Sequence, residues 1–318
     1  MFDVSILIIF YNRSSTVTKV LQKVKKINPQ NIYLFCDGPK DEKDFQLVDT
    51  ARKSVDKFLF SKNCKVKKKY LTQNKGLRNG VISAIDWFFS QEENGIILED
   101  DCVPSKSFFY YCKENLLYHK NNTQVMSIGG LNLVEQLYNK NFCPNSYSYF
   151  FTKSPMIWGW ATWKNRWKKF DKSMQSWNSI YKSTKKRKIY FPDHYSNQFY
   201  PERIQSVKEG KDQSWAYTWD YTLRINHGLN ITPKKNLVKN IGFGKQQTHN
   251  TPSYKALCNL KVGNLRINKH NKIFINNPEF DSLLAKFFSN KTFLEYIRSF
   301  LRTLLINRFF NIKKLIKL

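Results

Sequence analysis

The sequence predicts an α/β fold with a mostly parallel sheet flanked by helices, and three observations predict it. Short apolar runs recur along the first hundred residues, each closed by a polar turn. Between them lie segments with apolar residues at helical spacing. Strands alternating with helices at this interval are joined by crossovers and make a parallel sheet. Third, the runs end in polar signals: Asn12-Arg13, Asp37-Gly38 and the triplet Glu99-Asp100-Asp101. In such sheets ligands bind beyond the carboxyl ends of the strands.

The elements follow in order. "VSILIIFYN" is a buried strand, and "STVTKVLQKVKKI" a helix with a Ser/Thr N-terminal cap. "NIYLFCDG" is a second strand closed by Asp-Gly, "DFQLVDTARKSV" a helix and "KVKKKYLTQ" a third strand. "LRNGVISAIDWFFSQ" is a helix and "GIILEDD" a fourth strand. Further on, "QVMSIGGLN" reads as a strand, and "MIWGWATWKNRWKKF" as a tryptophan cluster leading into a basic helix. The stretch 171–211 is polar, carries "KKRK" and reads as a mobile loop. "SWAYTWDYTLRINHG" is a helix ending at Gly228. The division expected is a catalytic domain over 1–255 and a basic amphipathic helical tail over 256–318.

Composition narrows the class. A chain of 318 residues with 41% hydrophobic residues folds around a proper core. Its formal charge of +29 favours phosphate-rich partners: nucleic acid, an anionic membrane or a diphosphate ligand. A lysine-rich composition bias explains most of that charge equally well. The six cysteines form no CxxC pair and no zinc spacing, so they read as reduced, mostly buried thiols. The N-terminus lacks the pattern of a signal peptide, and no run is long enough to span a membrane. A cytoplasmic location is expected.

The acidic triplet suggests metal chemistry. Hard carboxylate oxygens suit Mg²⁺ or Mn²⁺, which complete their shells with water and substrate phosphates. A metal so held neutralises a diphosphate leaving group. An acidic turn paired with the many lysines is the plainer alternative.

The segment "GLRNGVISAIDWFFSQEENGIILEDDCVPSKSFFYYCKENLL", with "SIGGLN", "IWGWATWKNRW" and "SWAYTWDYTLRINHGLNITPKKNLVKNIGFGKQQTHN", resembles bacterial glycosyltransferases of the GT-A fold, family 2-like or HlpA-like. It is also distantly similar to N-acetylglucosaminyltransferase I. The resemblance covers about residues 4 to 250. It implies a Rossmann-like sheet and a nucleoside-diphosphate sugar donor, with UDP-sugar favoured. It further implies a surface glycan or lipid-linked glycan acceptor and an inverting, metal-dependent transfer.

On this resemblance Asp101 is a metal ligand and His249 a second one. Glu99 and Asp100 position the ribose and the metal's water shell, and Asp37 contacts the base. Arg13, Lys75 and Arg78 are candidates for the diphosphate. Gly159 and Trp160 lie near the donor sugar, with core packing the alternative for Trp160; Trp163 and Trp167 are core.

An inverting transferase needs a general base. Relatives place an acid directly before Ser/Thr-Trp, where this chain has Gln213. Asp212 and Asp220 are the candidates, and a catalytically inactive sugar- or nucleotide-binding relative stays open. A sugar nucleotidyltransferase would want a glycine-rich loop that "FYNRSSTV" lacks. A nucleic-acid partner is not expected, since no RRM-like, KH or zinc-finger pattern is present.

The tail "NKTFLEYIRSFLRTLLINRFFNIKKLIKL" aligns Phe293, Leu294, Ile297, Phe300, Leu301, Leu304 and Leu305 on one helical face. A basic amphipathic helix of this kind suits peripheral binding to an anionic membrane at the inner face of the plasma membrane. Packing on the catalytic domain or on a partner subunit is the alternative.

Overall fold

The computed structural model describes residues 1–144, 146–242, 257 and 259–289. His249, Cys258 and the tail from residue 290 onward lie outside the described residues.

The first half of the fold follows the sequence closely. β1 (Ile6–Phe10), β2 (Asn31–Cys36), β3 (Lys65–Tyr70) and β4 (Asn94–Glu99) alternate with α1 (Ser14–Lys25), α2 (Glu42–Asp56) and α3 (Gly76–Phe89). The four strands are parallel in the order β3-β2-β1-β4, and their last residues are in register: Cys36 faces Tyr70, Phe10 faces Cys36 and Ile9 faces Glu99. Every chain exit from these strands therefore arrives at one rim.

The second half adds β5 (Cys102–Pro104), α4 (Lys106–Tyr118), β6 (Val125–Gly129), α5 (Val134–Tyr138), β7 (Tyr149–Thr152) and β8 (Trp160–Trp163). It continues through α6 (Lys164–Trp167), α7 (Trp177–Lys182), α8 (Thr184–Tyr190), α9 (His194–Lys208) and α10 (Ala216–Ile225). β9 (Leu229–Pro233), β10 (Val238–Asn240) and α11 (Pro278–Ser289) close the described chain. β8 inserts antiparallel between β4 and β6, and the eight-stranded order is β3-β2-β1-β4-β8-β6-β9-β7. β6 and β9 are parallel, and β7 is antiparallel to β9. β10 and β5 form a separate antiparallel pair.

Alternate strand residues feed two layers. Ile6, Ile8, Ile32 and Leu34 pack with α1, α2 and α4. Leu7, Ile9, Tyr33, Phe35 and Ile97 pack with α3 and α10.

Three local expectations are corrected. Residues 171–211 are not a loop. They form α7, α8 and α9, and Trp177, Ile180, Phe191, Phe199, Tyr200, Ile204 and Val207 build a core of their own. The tryptophan segment enters the sheet as β8 before its helix, which is four residues long. α10 ends as expected, but the left-handed residue is His227 (φ 52°) rather than Gly228.

The described residues from 259 to 289 lie against the domain. Ser148 Oγ donates to Arg266 O at 2.8 Å, Phe151 bridges to Asn276, and α11 packs on α9. Among the described residues no helix is long and apolar enough to cross a membrane. Cys36, Cys64, Cys102, Cys112 and Cys143 are free thiols, all but Cys64 buried.

Candidate functional site

The carboxyl ends of β1, β2, β3 and β4 build the site. Chain leaving β1 presents Arg13 at the N-cap position of α1. No side chain caps that helix, in contrast to the expected Ser/Thr cap. The Arg13 side chain turns instead to the acids that follow β4. Its Nη2 donates to Asp100 Oδ1 and, at 3.1 Å, to Asp101 Oδ2. Burial works against the Arg13 charge, but Asp100 and Asp101 outweigh it and raise its pKa. Tyr11 N donates to Asp100 Oδ2 at 3.3 Å. Asp100 is 3% exposed. Burial pushes its carboxyl up to about 6, with the guanidinium pulling the other way.

Glu99 is held differently. Its Oε1 is buried without a hydrogen-bond partner. Burial, then the neighbouring Asp101 and Asp100 charges, push its pKa up to about 8. A buried carboxylate oxygen left unpaired costs free energy unless something supplies a partner.

Asp101 is partly accessible, its side chain being 14% exposed. Its Oδ1 accepts from Asn240 Nδ2 at 3.2 Å, and Ile241 N donates to its backbone carbonyl at 2.8 Å. Asn240 Oδ1 in turn accepts from Gly242 N at 2.7 Å. The chain passes so close here that a Cβ on Gly242 would lie 2.2 Å from Asp101 Oδ2 and 2.9 Å from Arg13 Nη1.

At the end of β2, Asp37 is 9% exposed. It accepts from Gly38 N at 2.9 Å and from Lys75 N at 3.0 and 3.1 Å, so it fixes the turn into α3. Tyr11 and Asn12 both bond Asp44, and Asn74 Nδ2 reaches Tyr11 Oη at 3.1 Å and Gly38 O at 2.6 Å. This polar lattice ties three strand ends into one rim.

The structure thus brings together Arg13, Asp37, Glu99, Asp100 and Asp101. Other candidates are placed elsewhere or otherwise engaged. Lys75 lays its ammonium on Ser83 Oγ at 3.1 Å. Arg78 braces α3, donating to Lys172 O at 3.0 Å and Thr218 Oγ1 at 3.3 Å. Trp160 is 1% exposed and packs with Trp167, Trp215 and Trp219, so it is core. Gly159 lies near the rim for a backbone reason. Its φ is +68°, and a Cβ would meet Val238 Cγ2 at 2.8 Å. Glycine alone adopts this turn without strain.

The two candidate bases separate. Asp220 is 4% exposed and locked to Arg224, with Nε to Oδ1 at 2.6 Å. Arg224 also donates to Ser154 Oγ at 3.2 Å, and the adjoining Lys153 reaches Gly228 O at 3.3 Å, just before β9 begins. That places the pair toward the amino edge, away from the acidic triplet. Asp212 accepts from Ser214 N at 2.8 Å in the loop that enters α10. α10 begins where Trp215 stacks on Trp160, whose sheet partner is Ile97 of β4. Asp212 lies in the loop before this end of α10 and, among the described residues, is not locked in an ion pair of the kind that holds Asp220.

Asn240, Tyr11, Asp44 and Asn74 were not apparent from the sequence. Tyr11 flanks the Asn12-Arg13 signal already noted at the end of the first strand, and Asn74 precedes Lys75, a diphosphate candidate. Asn240 is 139 residues from its partner, and no spacing announces it.

Among the described residues no three His, Cys, Asp or Glu side chains converge on one point. What is present fits a hard cation held by one or two carboxylates: an all-oxygen set, an unpartnered buried Glu99 Oε1 and Asp101 at the edge of solvent. Such a cation keeps water and ligand phosphates in its shell.

No protein-family model and no curated protein matches the chain. Among solved structures it is similar to UDP-glucose pyrophosphorylase complexed with UDP-glucose. There the identity is 9% and the TM-score 0.24, over 47% of this chain and 62% of that one. It is also similar to apo-UDP-glucose pyrophosphorylase, at 9% identity and TM-score 0.28, over 50% of this chain and 77% of that one. Likeness at this level carries no argument about activity.

Proposed function

We propose that the chain is a glycosyltransferase that takes a sugar from a nucleoside-diphosphate donor, UDP-sugar favoured, and delivers it to a surface-glycan precursor. The observation that carries this reading is the meeting of Arg13, Asp100 and Asp101 beside Asp37 at the ends of three adjacent parallel strands. An arginine beside a helix start is a good diphosphate site.

Mn²⁺ or Mg²⁺ bound to Asp101, with Glu99 beside it, would supply charge neutralisation to the leaving diphosphate. His249 is kept as a further ligand candidate. Asp37 and the turn it fixes would position the nucleoside. Asp212 takes the base role in this reading, because Asp220 is locked to Arg224. It would accept the acceptor hydroxyl's proton as the sugar is attacked from the face opposite the diphosphate, which gives inversion.

The test is a panel of nucleotide sugars assayed for Mn²⁺-dependent hydrolysis and transfer. Asp101→Ala should abolish metal-dependent UDP binding in calorimetry while the melting temperature holds. Unchanged Mn²⁺–UDP affinity in that variant would remove Asp101 from the role. Donor binding without any turnover would point to an inactive nucleotide-binding relative, the reading that Gln213 keeps open.

A further inference from the structure

We infer that Arg13 is a resident counter-cation that exchanges with a divalent metal at Asp101 and thereby couples metal binding to diphosphate binding. The inference rests on the nucleotide-sugar reading above and adds to it the order of events at the site.

Both oxygens of Asp101 are already in use. Asn240 Nδ2 occupies Oδ1, and Arg13 Nη2 occupies Oδ2. A cation that takes Oδ2 meets the guanidinium on the same atom, and like charges at that separation repel strongly in a partly desolvated site. One of the two must move. Asp100 and Asp101 sit on the tight connection between β4 and β5 and are anchored by Tyr11 N, Ile241 N and Asn240. Arg13 is the partner with a way out, since its side chain is 39% exposed. The 240–242 backbone closes one side of it, because even a Cβ at Gly242 would lie 2.9 Å from Nη1. The guanidinium therefore leaves on its exposed side.

The cluster also has room for more positive charge. Asp100 and Asp101 share one guanidinium, and Glu99 Oε1, next to them in the chain, is buried without a hydrogen-bond partner. A metal fills that deficit, and Arg13, released from Asp101, becomes available to a second anion. A diphosphate is the chemistry that suits a freed planar guanidinium. It follows that the metal alone binds weakly, because it must displace Arg13, and that metal and nucleoside diphosphate strengthen each other's binding. By linkage the enhancement is the same in both directions.

The experiment measures Mn²⁺ binding by electron paramagnetic resonance and UDP binding by calorimetry, each with and without the other. The proteins are the full chain and Arg13→Gln. A second variant combines Arg13→Gln with Asp100→Asn, so that no buried carboxylate is left uncompensated if the single variant folds poorly.

In the full chain Mn²⁺ and UDP should each tighten the other. In both variants Mn²⁺ alone should bind about tenfold tighter or more, UDP with Mn²⁺ should bind more weakly, and the mutual enhancement should shrink, all within the usual span of site-to-site coupling. Mn²⁺ affinity that is unchanged or weaker in the folded variants would overturn the exchange while leaving the nucleotide-sugar reading intact. A full chain that binds neither Mn²⁺ nor UDP would overturn both.

Discussion

Asp212 and Asp220 have similar claims in the sequence and different fates in the structure. Asp220 is spent on Arg224, whose guanidinium lies over Phe191 and Tyr200 and donates to Tyr190 O and Ser154 Oγ. Removing one partner of a buried ion pair leaves the other uncompensated, at a cost of about 3–5 kcal/mol. Asp220→Asn should therefore lower stability in urea denaturation, and any activity lost should track the folded fraction. Asp212→Asn should do the reverse, with stability nearly unchanged and turnover reduced about 10²–10⁴-fold, the usual contribution of a general base. If transfer by the Asp212 variant falls by less than about tenfold, the base lies elsewhere. The acidic triplet was legible in the sequence because consecutive acids after an apolar run are rare in a chain this basic. What could not be read was how each acid is used. Arg13 pairing with two of them depends on register between β1 and β4, and Asn240 reaches Asp101 only after the second half has folded.

At the scale of elements, β1, β2 and β4 were readable because each is an apolar run with a clear turn at its end, and β3, KVKKKY, by its place in the strand–helix alternation. The later strands are three to five residues long, and their places are set by partners far along the chain. In 171–211 the apolar residues are aromatics interspersed with lysine, so no single stripe stands out, yet they meet one another and α10 in a closed core. α11 is tied in by Asp281, 4% exposed, which accepts from Lys153 N at 3.0 Å, Ser154 N at 3.2 Å and Asn276 Nδ2 at 3.1 Å. Stripping that carboxylate leaves three donors unsatisfied at a buried junction, and each such loss costs about 1–3 kcal/mol. Asp281→Ala should lower the melting temperature of the whole domain in a single transition. A separate, earlier melting of the C-terminal segment would show instead that α11 is only loosely attached. The lysines of β3 have their own logic. Lys65, Lys67, Lys68 and Lys69 line an exposed edge strand and discourage another chain from pairing with it.

At the scale of the whole molecule, pH acts through a buried histidine far from the rim. His119, 1% exposed, bonds Tyr149 Oη at 2.9 Å, and Tyr149 bonds His270 Nδ1 at 3.0 Å. Burial, then the positive charges of His270 and Arg166, lower its pKa from 6.5 to about 4. Between those values the unfolded chain takes up a proton that the native state refuses. The contribution of this histidine to stability is thus fully present above about pH 6.5 and declines as the pH falls toward 4, by about 3 kcal/mol in all at 1.36 kcal/mol per pKa unit. His119→Gln should flatten that dependence in urea titrations at pH 7 and pH 5. Parallel losses in the two proteins would place the acid sensitivity in other groups. The link from Asn240 to Asp101 has a further consequence, in time rather than in energy. The two residues are 139 apart, so at roughly 5–20 residues per second the ribosome needs roughly 7–28 s to deliver one after the other. Arg13 is made before either acid. A nascent chain therefore carries its acidic triplet with a cation already at hand, long before the segment that finishes the site has been synthesised.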